Sequence, residues 1–196
     1  MKDQSQEAVI SPFEINATCI DGLLLISMKE VFEPRGVVRE FFRMSSIQDS
    51  SLASFGSWQQ INITDTRRGA IRGLHAENMN KLVGVANGSA FGVYVDVRRE
   101  SLTCGAVFTV QLTPGTQIFV PKGVCNGFQS TVGRDEDYCQ YIYCFDEEWS
   151  AGMPGVSLNP LDGDLGIDWP ITVSPDDRNL ISAKDVSAPS LKQLRG

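Results

Sequence analysis

The chain has one histidine, His75, in 196 residues. Zinc and non-haem iron sites usually need two or three imidazoles, or several thiolates at fixed spacing. The five cysteines, Cys19, Cys104, Cys125, Cys139 and Cys144, form no CxxC pair and are odd in number. Metal catalysis is therefore not expected, and reduced thiols in a cytoplasmic protein are. Cations are also in deficit: 17 Lys and Arg face 24 Asp and Glu, a formal net charge of −7. Without a basic run, tracking of nucleic-acid phosphates is not expected. No apolar run approaches the roughly 18 residues that a membrane helix needs. The polar, acidic start does not resemble a signal peptide. With 42% hydrophobic and 21% charged residues the chain is globular, not disordered.

What is present is mostly period two. Phe91, Val93, Val95 and Val97 alternate with Gly92, Tyr94, Asp96 and Arg98. Ala106, Phe108, Val110 and Leu112 form a second series, and Cys139, Tyr141, Tyr143 and Phe145 a third. Such alternation gives each strand two different faces. Further strands are predicted over 37–44, 58–66, 69–77, 81–87 and 117–121. Turns are predicted at Pro34-Arg35-Gly36, Asn87-Gly88, Pro114-Gly115 and Pro121-Lys122-Gly123. Helical periodicity is weak, with short helices expected over 46–54 and 190–195. Many short strands with regular turn signals predict an all-β sandwich or barrel with small peripheral helices. The Pro- and Gly-rich stretch 150–170 reads as a long surface loop. Length and the lack of a linker predict one domain over 1–196, with 171–196 packing on the barrel.

Few residues can carry chemistry. His75 lies in a strand-like stretch, Arg72-Gly73-Leu74-His75. It is either a satisfied structural residue or a general base, the usual task of a neutral imidazole. Period two puts Arg72 and His75 on opposite faces unless Gly73 marks a bulge. Arg35, Arg72 and Lys81 stand beside glycines or strand ends, as surface charges or as a cradle for a diphosphate. Tyr138, Tyr141 and Tyr143 cluster on one strand, as barrel lining or as a source of one proton donor. Cys125 follows a turn but has no second histidine to activate it.

An ordered set of motifs goes further. Pro34-Arg35-Gly36-Val37-Val38-Arg39-Glu40 is followed by Gln60-Ile61-Asn62, by Arg72-Gly73-Leu74-His75 and by Lys81-Leu82-Val83. Phe119-Val120-Pro121, Asn126-Gly127-Phe128, Ile167-Asp168-Trp169-Pro170 and Ser182-Ala183-Lys184-Asp185 come next. In this order they resemble the dTDP-4-dehydrorhamnose 3,5-epimerases, across nearly the whole chain. The resemblance implies a cupin-type jelly roll, a homodimer with exchanged N-terminal strands, and no cofactor. It implies a dTDP-linked 4-keto-6-deoxy sugar as substrate, in rhamnose-type deoxysugar biosynthesis. His75 matches the family's base and Asp185 the carboxylate that orients it. Tyr141 matches the proton donor if the loop 131–137 carries a small insertion, with Tyr143 in reserve. Arg35, Glu40, Gln60, Asn62, Arg72, Lys81 and Lys184 match substrate-binding positions. Asn126 replaces a common family histidine; it can hydrogen-bond a sugar or phosphate but cannot titrate. Two alternatives stay open: epimerisation at C3 or C5 alone or keto-group migration, and a sugar-nucleotide binding module without catalysis.

Overall fold

The computed structural model describes residues 8–47, 57–134 and 138–195. Fourteen strands and three short helices are present among them. The first five strands are β1 (Val9–Ser11), β2 (Glu14–Ala17), β3 (Leu24–Ser27), β4 (Lys29–Glu33) and β5 (Gly36–Glu40). Helix α1 (Met44–Ile47) and strands β6 (Gln60–Thr66), β7 (Ile71–Glu77), β8 (Lys81–Asn87) and β9 (Ala90–Asp96) follow. The rest are β10 (Val107–Leu112), β11 (Thr116–Val120), β12 (Val124–Ser130), β13 (Cys139–Phe145), β14 (Gly155–Ser157), α2 (Ala183–Val186) and α3 (Leu191–Arg195).

Every strand pair is antiparallel, and the strands form three sheets. A five-stranded sheet has the order β10-β9-β12-β7-β14, and a six-stranded sheet the order β2-β3-β11-β8-β13-β6. The inner faces of these two sheets meet in one core. Tyr94 and Phe128 come from the first, and Val83, Val85, Ile118 and Tyr141 from the second. Strands that alternate bury one set of side chains in this layer and turn the other outward. The third sheet, β1-β4-β5, pairs with neither of the others. It leaves Val9, Ile10, Phe32 and Val38 exposed.

Strand β12 was not anticipated. All seven of its residues are buried, because β9 and β7 flank it and both of its faces are covered. A strand covered on both sides has no reason to alternate. The stretch 150–170 also departs from the surface loop expected of it. It contributes β14, which pairs with β7, and it lays Leu158 and Leu165 on the outer face of the five-stranded sheet. There they join Leu74, Val93, Val95 and Leu191. A Leu as fully buried as Leu158 contributes about 1.5–3 kcal/mol, so this cover is part of the fold. Helix α3 ends at Arg195, near the expected place. Of the helix expected over 46–54, only the start falls on α1; 48–54 lie outside the described residues.

One buried carboxylate organises the turn after β9. Asp96 is fully buried and accepts from Arg98 Nε at 2.9 Å, Arg98 Nη2 at 2.8 Å, Ser101 Oγ at 2.6 Å and Thr103 Oγ1 at 2.7 Å. Burial by itself would raise its pKa, but these donors prevail and hold it far below the usual carboxylate range.

Candidate active site

The site lies where the two large sheets face each other at one end of the core. From the five-stranded sheet, β7 supplies Arg72, His75 and Glu77, and β12 supplies Asn126. From the six-stranded sheet, β8 supplies Lys81, and β13 supplies Tyr143 and Phe145. Together they line one cleft. Arg72 also lines a neighbouring groove with Thr66, Arg178, Ser182 and Asp185.

Arg72 and His75 share this cleft although they are three residues apart on a strand. The β7–β12 register explains it: Asn126 pairs with His75 and Phe128 with Arg72, with a shift between the two pairs. The irregularity at Gly73 changes the parity of the strand, so Leu74 turns into the outer core and His75 returns to the inner face. Only glycine fits there. Gly73 has φ of +110°, and a Cβ on it would lie 2.7 Å from Asn126 O and from the Gly127 Cα.

Asp185 reaches His75 from helix α2. Ser182 caps this helix by accepting from the Asp185 N–H at 3.0 Å. Asp185 is 5% exposed, and its Oδ1 lies 2.7 Å from His75 Nε2. Burial raises the pKa of this carboxyl, but the bonds to His75 and Ser182 outweigh it and the net shift is downward. An ionised Asp185 accepts only, so His75 Nε2 is the protonated nitrogen and Nδ1 carries the lone pair.

Lys81 is 4% exposed, an unusual state for an ammonium. It is paired with Glu77 and donates to Asn126 Oδ1 at 2.6 Å. Asn126, expected to meet the sugar or phosphate, is thus committed to Lys81. Arg72 donates through Nε to Thr66 Oγ1 at 2.9 Å.

The two tyrosines separate by depth. Tyr141 has no exposed surface and stacks on Phe128, with centroids 4.0 Å apart and planes 2° apart. It is core and does not line the cleft, contrary to its expected role as proton donor. Tyr143, on the same face two residues on, does line the cleft. Burial pushes both phenols upward, with Arg72 opposing the shift at Tyr143.

The remaining expected contacts are scattered. Gln60 accepts from the Trp149 N–H at 2.8 Å and donates to Asn62 Oδ1 at 3.0 Å, on the edge strand beside Tyr143. Lys184 is exposed on α2 next to Asp185. Arg35 and Glu40 lie on the β4–β5 hairpin, where Arg35 pairs with Glu33, and Glu40 with Arg43 and Lys29. Neither lines the cleft. Sequence reasoning missed Glu77, whose signal was its place two residues beyond His75 on one strand.

Known proteins resemble this chain in sequence and fold. A sequence model described as dTDP-4-dehydrorhamnose 3,5-epimerase matches residues 17–193. The enzyme of that name from Salmonella typhimurium is 30% identical over 182 residues, covering 90% of this chain and 94% of its own. A dTDP-4-dehydro-6-deoxyglucose 3-epimerase from Streptomyces bikiniensis is 30% identical over 163 residues, covering 80% of this chain and 78% of its own. The solved epimerase of Legionella pneumophila, in complex with dTDP-4-keto-L-rhamnose, superposes with a TM-score of 0.80 at 29% identity. The match covers 92% of this chain and 94% of that one. The fold is the cupin-type jelly roll of these structures. This chain belongs to the dTDP-4-dehydrorhamnose 3,5-epimerase family.

Proposed function

We propose that this protein is an isomerase that epimerises a dTDP-linked 4-keto-6-deoxyhexose next to its C4 ketone, in deoxysugar biosynthesis. The observation that carries the reading is the His75–Asp185 pair, opening on a cleft that also holds Lys81 and Tyr143. The ketone acidifies the protons at C3 and C5. His75 Nδ1 takes one of them, and the resulting imidazolium is stabilised by Asp185 through Nε2. Negative charge moves onto the C4 oxygen, where the Lys81 ammonium stabilises the enolate. Tyr143, from the opposite sheet, returns a proton to the other face and inverts the centre. Its partly buried phenol, with its pKa pushed upward, stays protonated at neutral pH, as this task requires. Arg72 and Lys184 support the diphosphate, and the amides of Gln60 and Asn62 support the nucleoside.

The reading includes a single cytoplasmic domain and a homodimer. All five thiols are free. Among the described residues no helix is long and apolar enough to cross a membrane. Arg35 and Glu40 stand on a sheet that, among the described residues, no other strand extends, with exposed apolar side chains around them. Pairing across a two-fold axis covers such a surface and carries the hairpin to the cleft of a second copy. Light scattering at micromolar concentration should give twice the chain mass; a monomer would remove this part.

Incubation with dTDP-4-keto-6-deoxyglucose in heavy water, read by NMR, tests the chemistry. Deuterium at C3 and C5 with an inverted product is expected. Exchange at C3 alone would favour the narrower reaction named for the Streptomyces bikiniensis relative. Tight binding with no exchange would sink the enzymatic reading and leave a binding module.

A further inference from the structure

The base, the proton donor and the nucleotide contacts of the proposed mechanism leave one ionised group in the cleft without a task. Glu77 is two residues beyond His75 on β7. Its side chain is 22% exposed, and it lines the same cleft. It is in ion-pair contact with Lys81, which reaches it from the other sheet. The Lys81 ammonium has three N–H bonds and three protein acceptors. They are Glu77 Oε2, Asn126 Oδ1 at 2.6 Å and the His75 carbonyl at 3.5 Å. The last contact is the weakest by distance.

We propose that Glu77 is the positioning residue for Lys81: with Asn126 it fixes two of the three ammonium hydrogens, so that the third is aimed at the C4 ketone oxygen of the substrate. The inference rests on the epimerase reading for its reaction, but not for its geometry. A lysine hangs on a flexible four-carbon stem, and its charge has no intrinsic direction. A carboxylate and an amide on two sides remove that freedom. The ketone oxygen then has to displace only the long contact to the His75 carbonyl, so Lys81 bonds the enolate without breaking its two short bonds. Asn126 cannot do this alone, because a neutral amide supplies no charge to balance a buried ammonium. Glu77 supplies it from the strand that carries the base, so the base and the oxyanion donor keep a fixed separation.

The test compares Glu77→Ala, Glu77→Gln, Lys81→Met and the double variant Glu77→Ala/Lys81→Met, with deuterium exchange and product formation as readouts. Glu77→Ala should lower kcat by about tenfold to a hundredfold, the scale of a misplaced catalytic group, with KM nearly unchanged. Glu77→Gln should recover part of the loss, because its amide oxygen accepts the same bond. In the Lys81→Met background Glu77→Ala should cost nothing further. The same loss in both backgrounds would overturn the proposal, since Glu77 would then act on the sugar directly. A lower melting temperature with unchanged kcat would overturn it too, as a purely structural ion pair. Lys81→Gln replaces Lys81→Met should the latter fail to fold. A readout free of catalysis keeps the two readings apart: the ¹⁵N signal of the Lys81 ammonium in the unliganded protein. A slowly exchanging signal in the wild type that vanishes in Glu77→Ala supports the proposal even if no sugar proton exchanges. Its persistence in Glu77→Ala, or its absence from the wild type, overturns the proposal.

Discussion

Two buried aspartates of this protein, Asp96 and Asp185, are almost equally hidden from water, and both are held below the usual carboxylate range. Their partners differ. Asp96 takes its side-chain donors from Arg98, Ser101 and Thr103, all within seven residues. Those donors keep one protonation state at any pH where the protein folds, so the cluster has a single state. Asp185 is bonded to a ring 110 residues away that can bind or release a proton. A buried carboxylate tied to permanent donors shapes the chain; one tied to a titratable group at a cleft conditions chemistry. Burial and pKa direction alone do not separate the two, whereas the nature and the sequence distance of the partner do.

The largest effect expected is on the structural member. Asp96→Ala leaves Arg98 without its carboxylate and should cost about 3–5 kcal/mol of stability in urea unfolding. The folded fraction should keep its turnover; a drop in kcat per folded molecule would break the contrast. At the other site His75→Ala should reduce turnover at least about a hundredfold with little change in melting temperature. A variant that turns over within a few-fold of wild type would remove His75 as the base. Asp185→Asn should cost about tenfold or more in kcat and shift the pH–rate profile, since it alters the basicity of His75. Nucleotide affinity should hold. Full activity with an unchanged profile would make Asp185 a second structural carboxylate.

Acid titration sharpens the comparison at smaller amplitude. Both folded pKa values lie below the ordinary value of 3.8. The stability each contributes is therefore fully present above that value and lost as pH falls through the depressed one. Stability to urea should fall steeply below about pH 4 in the wild type, and the slope should flatten more in Asp96→Asn than in Asp185→Asn. Equal flattening would mean that the two sites are coupled to folding alike. The last contrast lies within β13. Tyr143→Phe should lose inversion while His75 still exchanges the proton, and Tyr141→Phe should change turnover by less than about threefold. The opposite result would return the proton donor to Tyr141.

The all-β architecture was legible in the sequence because β9, β10 and β13 alternate in residue type, although β9 is buried on both faces, with Tyr94 in the inner core and Val93 and Val95 in the outer one. Strand β12 and the cover around Leu158 were not: Asn126, Gly127, Gln129 and Ser130 break any apolar period in β12, and Pro and Gly mask a segment whose leucines still find a core. His75 was legible as the lone imidazole in a glycine-marked strand, but its spacing from Arg72 says nothing until the bulge at Gly73 is seen. The pairing of His75 with Asp185 came from the family pattern alone, since no local periodicity connects positions 110 residues apart. Tyr141 and Tyr143 have the same parity, so period two cannot choose between them. Depth along β13 decides, and it is set by the register with β6 and β8.

The close approach of Gly73 and Gly127 has a consequence for how this sequence can drift. A Cβ on Gly73 would fall 2.7 Å from the Gly127 Cα, and one on Gly127 would fall 2.6 Å from Arg72 O and 3.2 Å from the Gly73 Cα. Apart from Leu74 Cδ2, 2.7 Å from a Cβ on Gly127, the obstacles are backbone atoms, which no swap of a neighbouring side chain clears. Neither glycine can be exchanged first, and exchanging both removes neither obstacle. Descendants of this chain are therefore free to vary much of the exposed surface, while this pair stays fixed. Random mutagenesis with selection for activity should recover almost no amino-acid change at either position, including in backgrounds where Glu77 or Asn126 has been replaced.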